Sequence, residues 1–268
     1  RQQLRFSITG SNQFVHLVPS NNLGLPIDIW LPVTERLKPM GVTQLSAKYI
    51  FKAKNWEIES GIFSKFYANI LEHESGTQLL SEENWEDNLT VGSGRSYGLE
   101  LASKVEINKW GGYCSYTFSR SQRNAAGINN NRDYFSKFDR PNVINILAEY
   151  RFNKDFKVLA VWSYASGNPI TVPVSRYVTI IGDQDVIVEE YGDINNYRLP
   201  STHHLDIAFM HEKQYKKFAS IFTFGVYNVY NRLNPFMAFI GLDDNAEPQL
   251  KLRSYLPVLP TIKYSIKI

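Results

Sequence analysis

Thr261-Ile262-Lys263-Tyr264-Ser265-Ile266-Lys267-Ile268 sets Ile, Tyr, Ile and Ile on one side and Thr, Lys, Ser and Lys on the other. A helix would repeat its apolar positions at i, i+3 and i+4; strict alternation is the period of a strand with one apolar and one wet face. The pattern recurs upstream. Leu99, Leu101, Val105 and Ile107 oppose Glu100, Lys104 and Glu106, and Ile144, Ile146, Ala148, Tyr150 and Phe152 oppose Asn145, Glu149 and Arg151. Leu205, Ile207 and Phe209 oppose His204, Asp206 and Glu212. About ten strands follow, near 2–9, 43–53, 57–70, 96–108, 112–122, 142–152, 156–166, 202–212, 218–229 and 255–268.

Several of these segments run well past the five or six residues usual in soluble sheets. A strand tilted by roughly 45° needs about 9–11 residues to cross a bilayer. Loop lengths carry the argument further. Tight connections at 54–55, 108–111, 153–155 and 213–217 alternate with long ones near 10–42, 71–95, 123–141, 167–201 and 230–254. Short turns on one rim and long loops on the other are the plan of an outer-membrane barrel. Trp56, Trp110, Phe152, Phe156, Tyr215 and Phe218 gather beside the short turns, where an interfacial girdle belongs. The alternating apolar end of the last strand places the short turns on the periplasmic rim and the long loops outside.

Composition agrees. The 268 residues are 43% hydrophobic, 21% charged and 14% aromatic, and no apolar run reaches the length of a membrane helix. Mean hydropathy is −0.29. A net charge of +3 gives no reason to expect nucleic acid. The single Cys114 excludes an internal disulfide and a cysteine-based metal cluster. The sequence starts at Arg1 without an initiator Met or signal segment and runs directly into strand-like residues, so a processed piece or fragment is expected.

Eight stretches, in order, carry a resemblance. They are Leu25-Pro26-Ile27-Asp28-Ile29-Trp30-Leu31-Pro32 with Lys38-Pro39; Asn84-Trp85-Glu86; Gly94-Arg95-Ser96-Tyr97-Gly98-Leu99-Glu100; Tyr116-Thr117-Phe118-Ser119; Phe138-Asp139-Arg140-Pro141; Ser166-Gly167-Asn168-Pro169-Ile170-Thr171-Val172-Pro173; Tyr197-Arg198-Leu199-Pro200; and Tyr227-Asn228-Val229-Tyr230-Asn231-Arg232-Leu233-Asn234-Pro235-Phe236. Together they resemble the carboxyl-terminal barrel of TonB-dependent outer-membrane receptors. The nearest branch is the one whose full-length members begin with a carboxypeptidase-regulatory-like domain. The resemblance implies an all-β, transmembrane antiparallel β-barrel of 22 strands, of which residues 1–268 supply about the last ten. It implies an outer-membrane location in a Gram-negative bacterium, contact with outer-membrane lipid, and import of a scarce or bulky nutrient. Energy would come through TonB, by way of a plug and TonB box absent from this stretch. The ligand class stays open among small molecules such as iron chelates or cobalamin-like cofactors, glycans and peptides. A capping surface lipoprotein, found in some relatives, is a further partner. Ile268 departs from the terminal Phe of many barrels.

Two other classes compete. A free-standing ten-stranded barrel enzyme would use His204 and Asp206, which share one strand face; a polar lumen pair bonded across strands is the plainer account. A soluble secreted β-sandwich binding module fits the composition but not the sorted loops. No catalytic residue, metal ligand or cofactor is assigned. His16, His73 and His211 lack ligand spacing. The acidic groups Glu72-His73-Glu74, Glu82-Glu83, Glu86-Asp87, Asp183 with Asp185, Glu189-Glu190 and Asp243-Asp244 lack the spacing of a calcium loop and read as solvated charge. Gly92-Ser93-Gly94 reads as a flexible approach to a strand.

The strands of a barrel are fixed by their ladders, so specificity falls to loops and lumen side chains. The candidate ligand-binding residues are Trp85, Tyr134, Arg140, Arg176, Tyr177, Tyr191, Tyr197 and Arg198, able to stack on a ring or hold an anion. Phe135 is a further loop aromatic. Arg140 and Arg198 can equally pair with loop carboxylates, and the aromatics can equally pack the loops together. Segments 10–42 and 167–201 have the reach to cover a barrel mouth.

Overall fold

The computed structural model describes residues 1–19, 28–73, 85–182, 184–245 and 248–268. Leu25, Pro26, Ile27, Asn84 and the acidic Glu74, Glu82, Glu83 and Asp183 lie outside them.

Ten antiparallel strands, laid side by side in chain order, form one sheet, to which the two-residue strand Tyr134–Phe135 adds an eleventh. They are β1 (Gln2–Gln13), β2 (Met40–Lys52), β3 (Trp56–His73), β4 (Leu89–Ile107), β5 (Trp110–Ala125), β6 (Asn142–Arg151), β7 (Phe156–Ala165), β8 (Thr202–Gln214), β9 (Ala219–Tyr227) and β10 (Leu259–Lys267). No α-helix occurs among the described residues. Every expected strand is present. Turns of two to four residues separate β2 from β3, β4 from β5, β6 from β7 and β8 from β9, and all the long connections lie at the other end.

Register proves the two faces. Cross-strand partners share a side of the sheet. One such row runs Leu205, Trp162, Ile146 and Cys114 through β8, β7, β6 and β5. Ile262 and Phe224 pair with each other, as do Tyr264 and Phe222, and continue that apolar side. The opposite side carries Ser115, Asn145, Ser163 and His204 in one row and Thr223 beside Lys263 in another. The alternation read from residues 261–268 therefore extends across the sheet.

Neither broad face is covered. Ile262 is 72% exposed, Phe6 76% and Ile62 61%, and β1 and β10 are open to solvent along almost their whole length. The buried apolar clusters sit at the long-loop end. Val18, Leu31, Leu37 and Leu71 form one, Ala125, Ile128 and Tyr134 a second, and Ile170, Leu199 and Ala238 a third. A soluble sandwich buries its core between two sheets. Here the other sheets among the described residues are two-stranded hairpins, and the apolar face of the main sheet is exposed, so that class does not fit.

Three long loops are more ordered than the sequence reading allowed. Hairpins formed by Val15–Pro19 with Asp28–Pro32, Pro173–Ile181 with Gln184–Tyr191, and Pro235–Leu242 with Pro248–Ser254 stand beyond the main sheet. Strand β4 also starts earlier than expected. Gly92, Ser93 and Gly94 lie inside it, paired with Ala125, Asn124 and Arg123, rather than forming a loose approach. A Cβ on Gly92 would lie 2.5 Å from the Asn124 carbonyl oxygen, and one on Gly94 would lie 2.7 Å from Ile70 Cδ1. Close packing, not flexibility, requires those glycines.

Candidate functional site

At the long-loop rim, the chain between β5 and β6 folds back along β5, so that Tyr134 and Phe135 pair with Arg123 and Gln122. This brings Asp139 against the strand. Its side chain is fully buried. The Ser121 amide donates to Oδ1 at 2.7 Å, Arg198 Nη2 donates to Oδ2 at 2.5 Å, and Arg120 Nη1 donates to Oδ2 at 3.2 Å. Arg198 Nη1 also reaches the carbonyls of Asp139 and Gly167, at 2.8 and 2.7 Å. The Phe135 ring lies 4.7 Å from the Arg120 guanidinium and 5.5 Å from that of Arg198. One buried carboxylate shared by two arginines, with a ring against both, is a fastening for two loops.

The same two loops are stitched at three more points. Asn129 Nδ2 donates to the Ile194 carbonyl at 3.1 Å, and Asn129 Oδ1 accepts from the Ile194 amide at 2.7 Å. Asn195 Nδ2 donates to the Phe135 carbonyl at 2.7 Å. Arg132 Nη2 binds both carboxylate oxygens of Asp193, at 2.9 and 3.1 Å. Asn129, Asn130, Asn131 and Asn195 all have positive φ, a region Asn tolerates better than most residues.

On the other side of β5, Arg123 pairs with the buried Glu72. Tyr134 is buried beside them, and its hydroxyl has no hydrogen-bond partner of normal geometry. Burial, reinforced by the charge of Glu72, raises its pKa, so it stays a neutral phenol.

The sequence candidates thus divide by environment. Trp85 packs on the Val18–Leu31–Leu37–Leu71 cluster, Tyr197 on the Ile170–Leu199–Ala238 cluster, and Tyr134 belongs to the Ala125–Ile128 cluster. Arg198 belongs to the Asp139 fastening. Arg176, Tyr177 and Tyr191 ride on the Pro173–Tyr191 hairpin. Tyr177 is 53% exposed, whereas the Tyr191 hydroxyl donates to Glu189 Oε2 at 2.8 Å. Arg140 is exposed; its Nη2 donates to Asn168 Oδ1 at 3.4 Å and its carbonyl accepts from Ser119 Oγ at 3.5 Å. Of these candidates Arg140 and Tyr177 are exposed, and Arg176 is half-buried on the hairpin. Arg120 and Arg123 were not found by spacing, because their partners are distant in the chain, and Glu72, expected to be solvated charge, is instead buried and paired with Arg123.

His204 and Asp206 do share a face, with Nε2 3.5 Å from Oδ2. The other Asp206 oxygen receives the Asn228 amide at 2.9 Å, and the His204 ring lies 4.8 Å from that of Tyr227. That carboxylate anchors a turn. Among the described residues no group of three or more His, Cys, Asp or Glu can hold a metal.

The turn after Tyr227 uses its asparagines structurally. Asn228 is fully buried, donates to the Arg232 carbonyl at 2.9 Å and receives the Arg232 amide at 3.0 Å. Asn234 exchanges two hydrogen bonds with the His203 backbone, both at 3.0 Å.

No protein-family model matches the sequence. No curated protein matches it either. Solved structures do. The closed form of the ferric-catecholate import receptor Fiu from K12 E. coli matches 99% of the chain at a TM-score of 0.58 and 11% identity. The ferric citrate transporter FecA in its unliganded form matches 85% at 0.55 and 12%. The FrpB iron transporter from Neisseria meningitidis matches 87% at 0.50 and 10%. The fold is that of an outer-membrane TonB-dependent receptor barrel. The chain spans about a third of the length of these structures, 33% of the first and 31% of each of the others. The fastened loops stand at one end of the sheet.

Proposed function

We propose that the chain is the carboxyl-terminal ten strands of a TonB-dependent active transporter in the outer membrane of a Gram-negative bacterium. The observation that carries this reading is a single sheet of ten long strands, apolar on one face and polar on the other, with the long loops confined to one end. In this reading the apolar face meets lipid, the polar face lines the lumen, and the long-loop rim is extracellular. The match to about a third of three import proteins supports a larger barrel of 22 strands, with plug and TonB-contacting segment in the remainder. The branch with an N-terminal carboxypeptidase-regulatory-like domain is carried by the sequence resemblance alone.

Ligand selection falls to the Pro173–Tyr191 hairpin with Arg140, where Arg176 and Tyr177 stand clear of the fastened base. A surface lipoprotein would dock on the same hairpin. The ligand is a scarce or bulky nutrient recognised by stacking and by cationic contacts.

The intact mass of the native protein tests the architecture. A mass two or more times that of this chain, with uptake lost when TonB is removed, agrees with the proposal. A native mass near 31 kDa would overturn it in favour of a free-standing barrel.

A further inference from the structure

The two ends of the sheet carry opposite charge. In sequence the five long connections (14–39, 74–88, 126–141, 166–201 and 228–258) hold seventeen carboxylates against ten cations; among the described residues they hold twelve against the same ten. The four tight turns hold five lysines, Lys54, Lys109, Lys154, Lys216 and Lys217, against the single carboxylate of Asp155. Each turn contributes at least one lysine.

Four cations on the lumen side of this rim are neutralised. Lys52 pairs with Glu57, Lys104 with Glu106 at 2.9 Å, and both Arg151 and Lys157 with Glu149, at 2.5 and 3.3 Å. The turn lysines are not. Among the described residues no carboxylate lies within ion-pair distance of Lys54, Lys154, Lys216 or Lys217, or of Lys213 at the end of β8. Lys213 lies 5.5 Å from the Tyr215 ring, and Lys109 donates to the Phe152 carbonyl at 2.9 Å. The Glu212 amide donates to the Asp155 carbonyl at 2.8 Å, so the turn at 152–155 adjoins the end of β8. Lys154, Lys213, Lys216 and Lys217 therefore share one stretch of rim.

Large exposed rings sit beside these lysines. Trp110 is 60% exposed, Phe152 51%, Trp56 46% and Phe156 44%, and Tyr215 stacks on Phe218 at 4.6 Å. Amphipathic rings settle at headgroup depth. Lysines next to them occupy the headgroup layer itself, where an anionic lipid supplies the missing countercharge.

We propose that the short-turn rim, centred on Lys154, Lys213, Lys216 and Lys217, binds the headgroups of anionic phospholipids in the periplasmic leaflet. The inference rests on the membrane-barrel reading above. It adds a lipid class and a leaflet to it.

The test places the full-length receptor in phosphatidylcholine bilayers and compares spin-labelled phosphatidylglycerol with spin-labelled phosphatidylcholine in the motionally restricted boundary layer. Phosphatidylglycerol is expected to be enriched by at least about fivefold at low salt and to lose most of that preference in 0.5 M salt. The quadruple variant Lys154→Gln, Lys213→Gln, Lys216→Gln, Lys217→Gln is expected to lose the preference, and the corresponding Arg variant to keep it. Heat-modifiable gel mobility establishes that both variants are assembled. Equal occupancy by the two lipids, or a preference that survives the Gln substitutions, overturns the proposal alone. A receptor with no restricted lipid component at all overturns the membrane reading beneath it.

Discussion

Arg198 binds Asp139 twice, through the Oδ2 contact at 2.5 Å and the main-chain carbonyl at 2.8 Å, although 59 residues separate them. An arginine that appears in sequence to guard a barrel mouth is thus held from beneath. The carboxylate it meets is fully buried and shared with Arg120. Both cations depend on that one anion.

Replacing Asp139 with Ala is expected to free the loops without opening the wall. Removing one partner of a buried ion pair costs about 3–5 kcal/mol because the remaining charge is left uncompensated. Amide hydrogen exchange should accelerate in 126–141 and 166–201 and stay slow in β5 to β8. Loops that keep native protection would show that the fastening lies elsewhere.

Gly167 and Gly127 offer a paired comparison. A Cβ at Gly167 would sit 1.6 Å from the Leu199 carbonyl oxygen, so the backbone must move. Gly127 has open space and a φ of +79°, which charges an Ala only the left-handed penalty of about 1–2 kcal/mol. Thermal unfolding of the loop region is expected at a distinctly lower temperature for Gly167→Ala than for Gly127→Ala. The reverse order would contradict the close approach.

Deleting residues 178–192 removes the tip and returning strand of the outer hairpin, strips Arg176 and Tyr177 of their strand partners Glu189 and Val188, and leaves Asp193, Ile194 and Asn195 on their partners. Ligand or lipoprotein binding is expected to fall at least tenfold while heat-modifiable mobility remains normal. Undiminished affinity in an assembled deletion protein would move specificity to the lumen or the plug.

Spin labels at Lys263 and Ile266, with Cys114 replaced by Ser, report the two faces directly. The first is expected to be accessible to a water-soluble relaxation agent and the second to oxygen dissolved in the bilayer. The same environment at both sites is incompatible with a membrane wall.

Tyr191 supplies a pH prediction. Burial, then its hydrogen bond to Glu189, pushes its phenol from 10.0 up to about 12. The neutral form is the one favoured by the fold, so its contribution is complete below pH 10 and disappears as pH rises toward 12. Tyrosinate absorption of the protein minus that of Tyr191→Phe is expected to show this late ionisation. A difference curve with its midpoint at 10 would remove the Glu189 contact from the account.

All ten strands were legible from alternation because the two solvents on either side of the wall demand it residue by residue. Their upper ends were not. Gly92 and Gly94 carry no side chain with which to register a face, and Leu71, Glu72 and His73 are buried on both sides by loops that fold over them. The loop hairpins were invisible for a related reason. Val174, Tyr177, Val178 and Ile180 remain exposed, so no apolar period distinguishes the strand from its surroundings. At the site, the aromatic and arginine composition left both a ligand-facing and a loop-packing role open. Whether Tyr134 or Arg198 faces a ligand or a neighbour depends on pairings across 59 or more residues, as with Arg198 and Asp139, and on strand register, which local sequence does not encode.

The Pro173–Tyr191 hairpin begins and ends on a matched pair, since Pro173 and Tyr191 are cross-strand partners. Its feet therefore lie side by side above a base that is stitched without it. A segment of almost any length whose ends meet at that spacing can be exchanged there, much as one tool bit replaces another in a fixed chuck. Substitution and length change in such a hairpin can proceed rapidly, while the sheet and the fastening beneath change slowly. Among close relatives, insertions and deletions are accordingly expected to accumulate between 174 and 190 and to be scarce at Asn129, Asp139, Ile194 and Arg198.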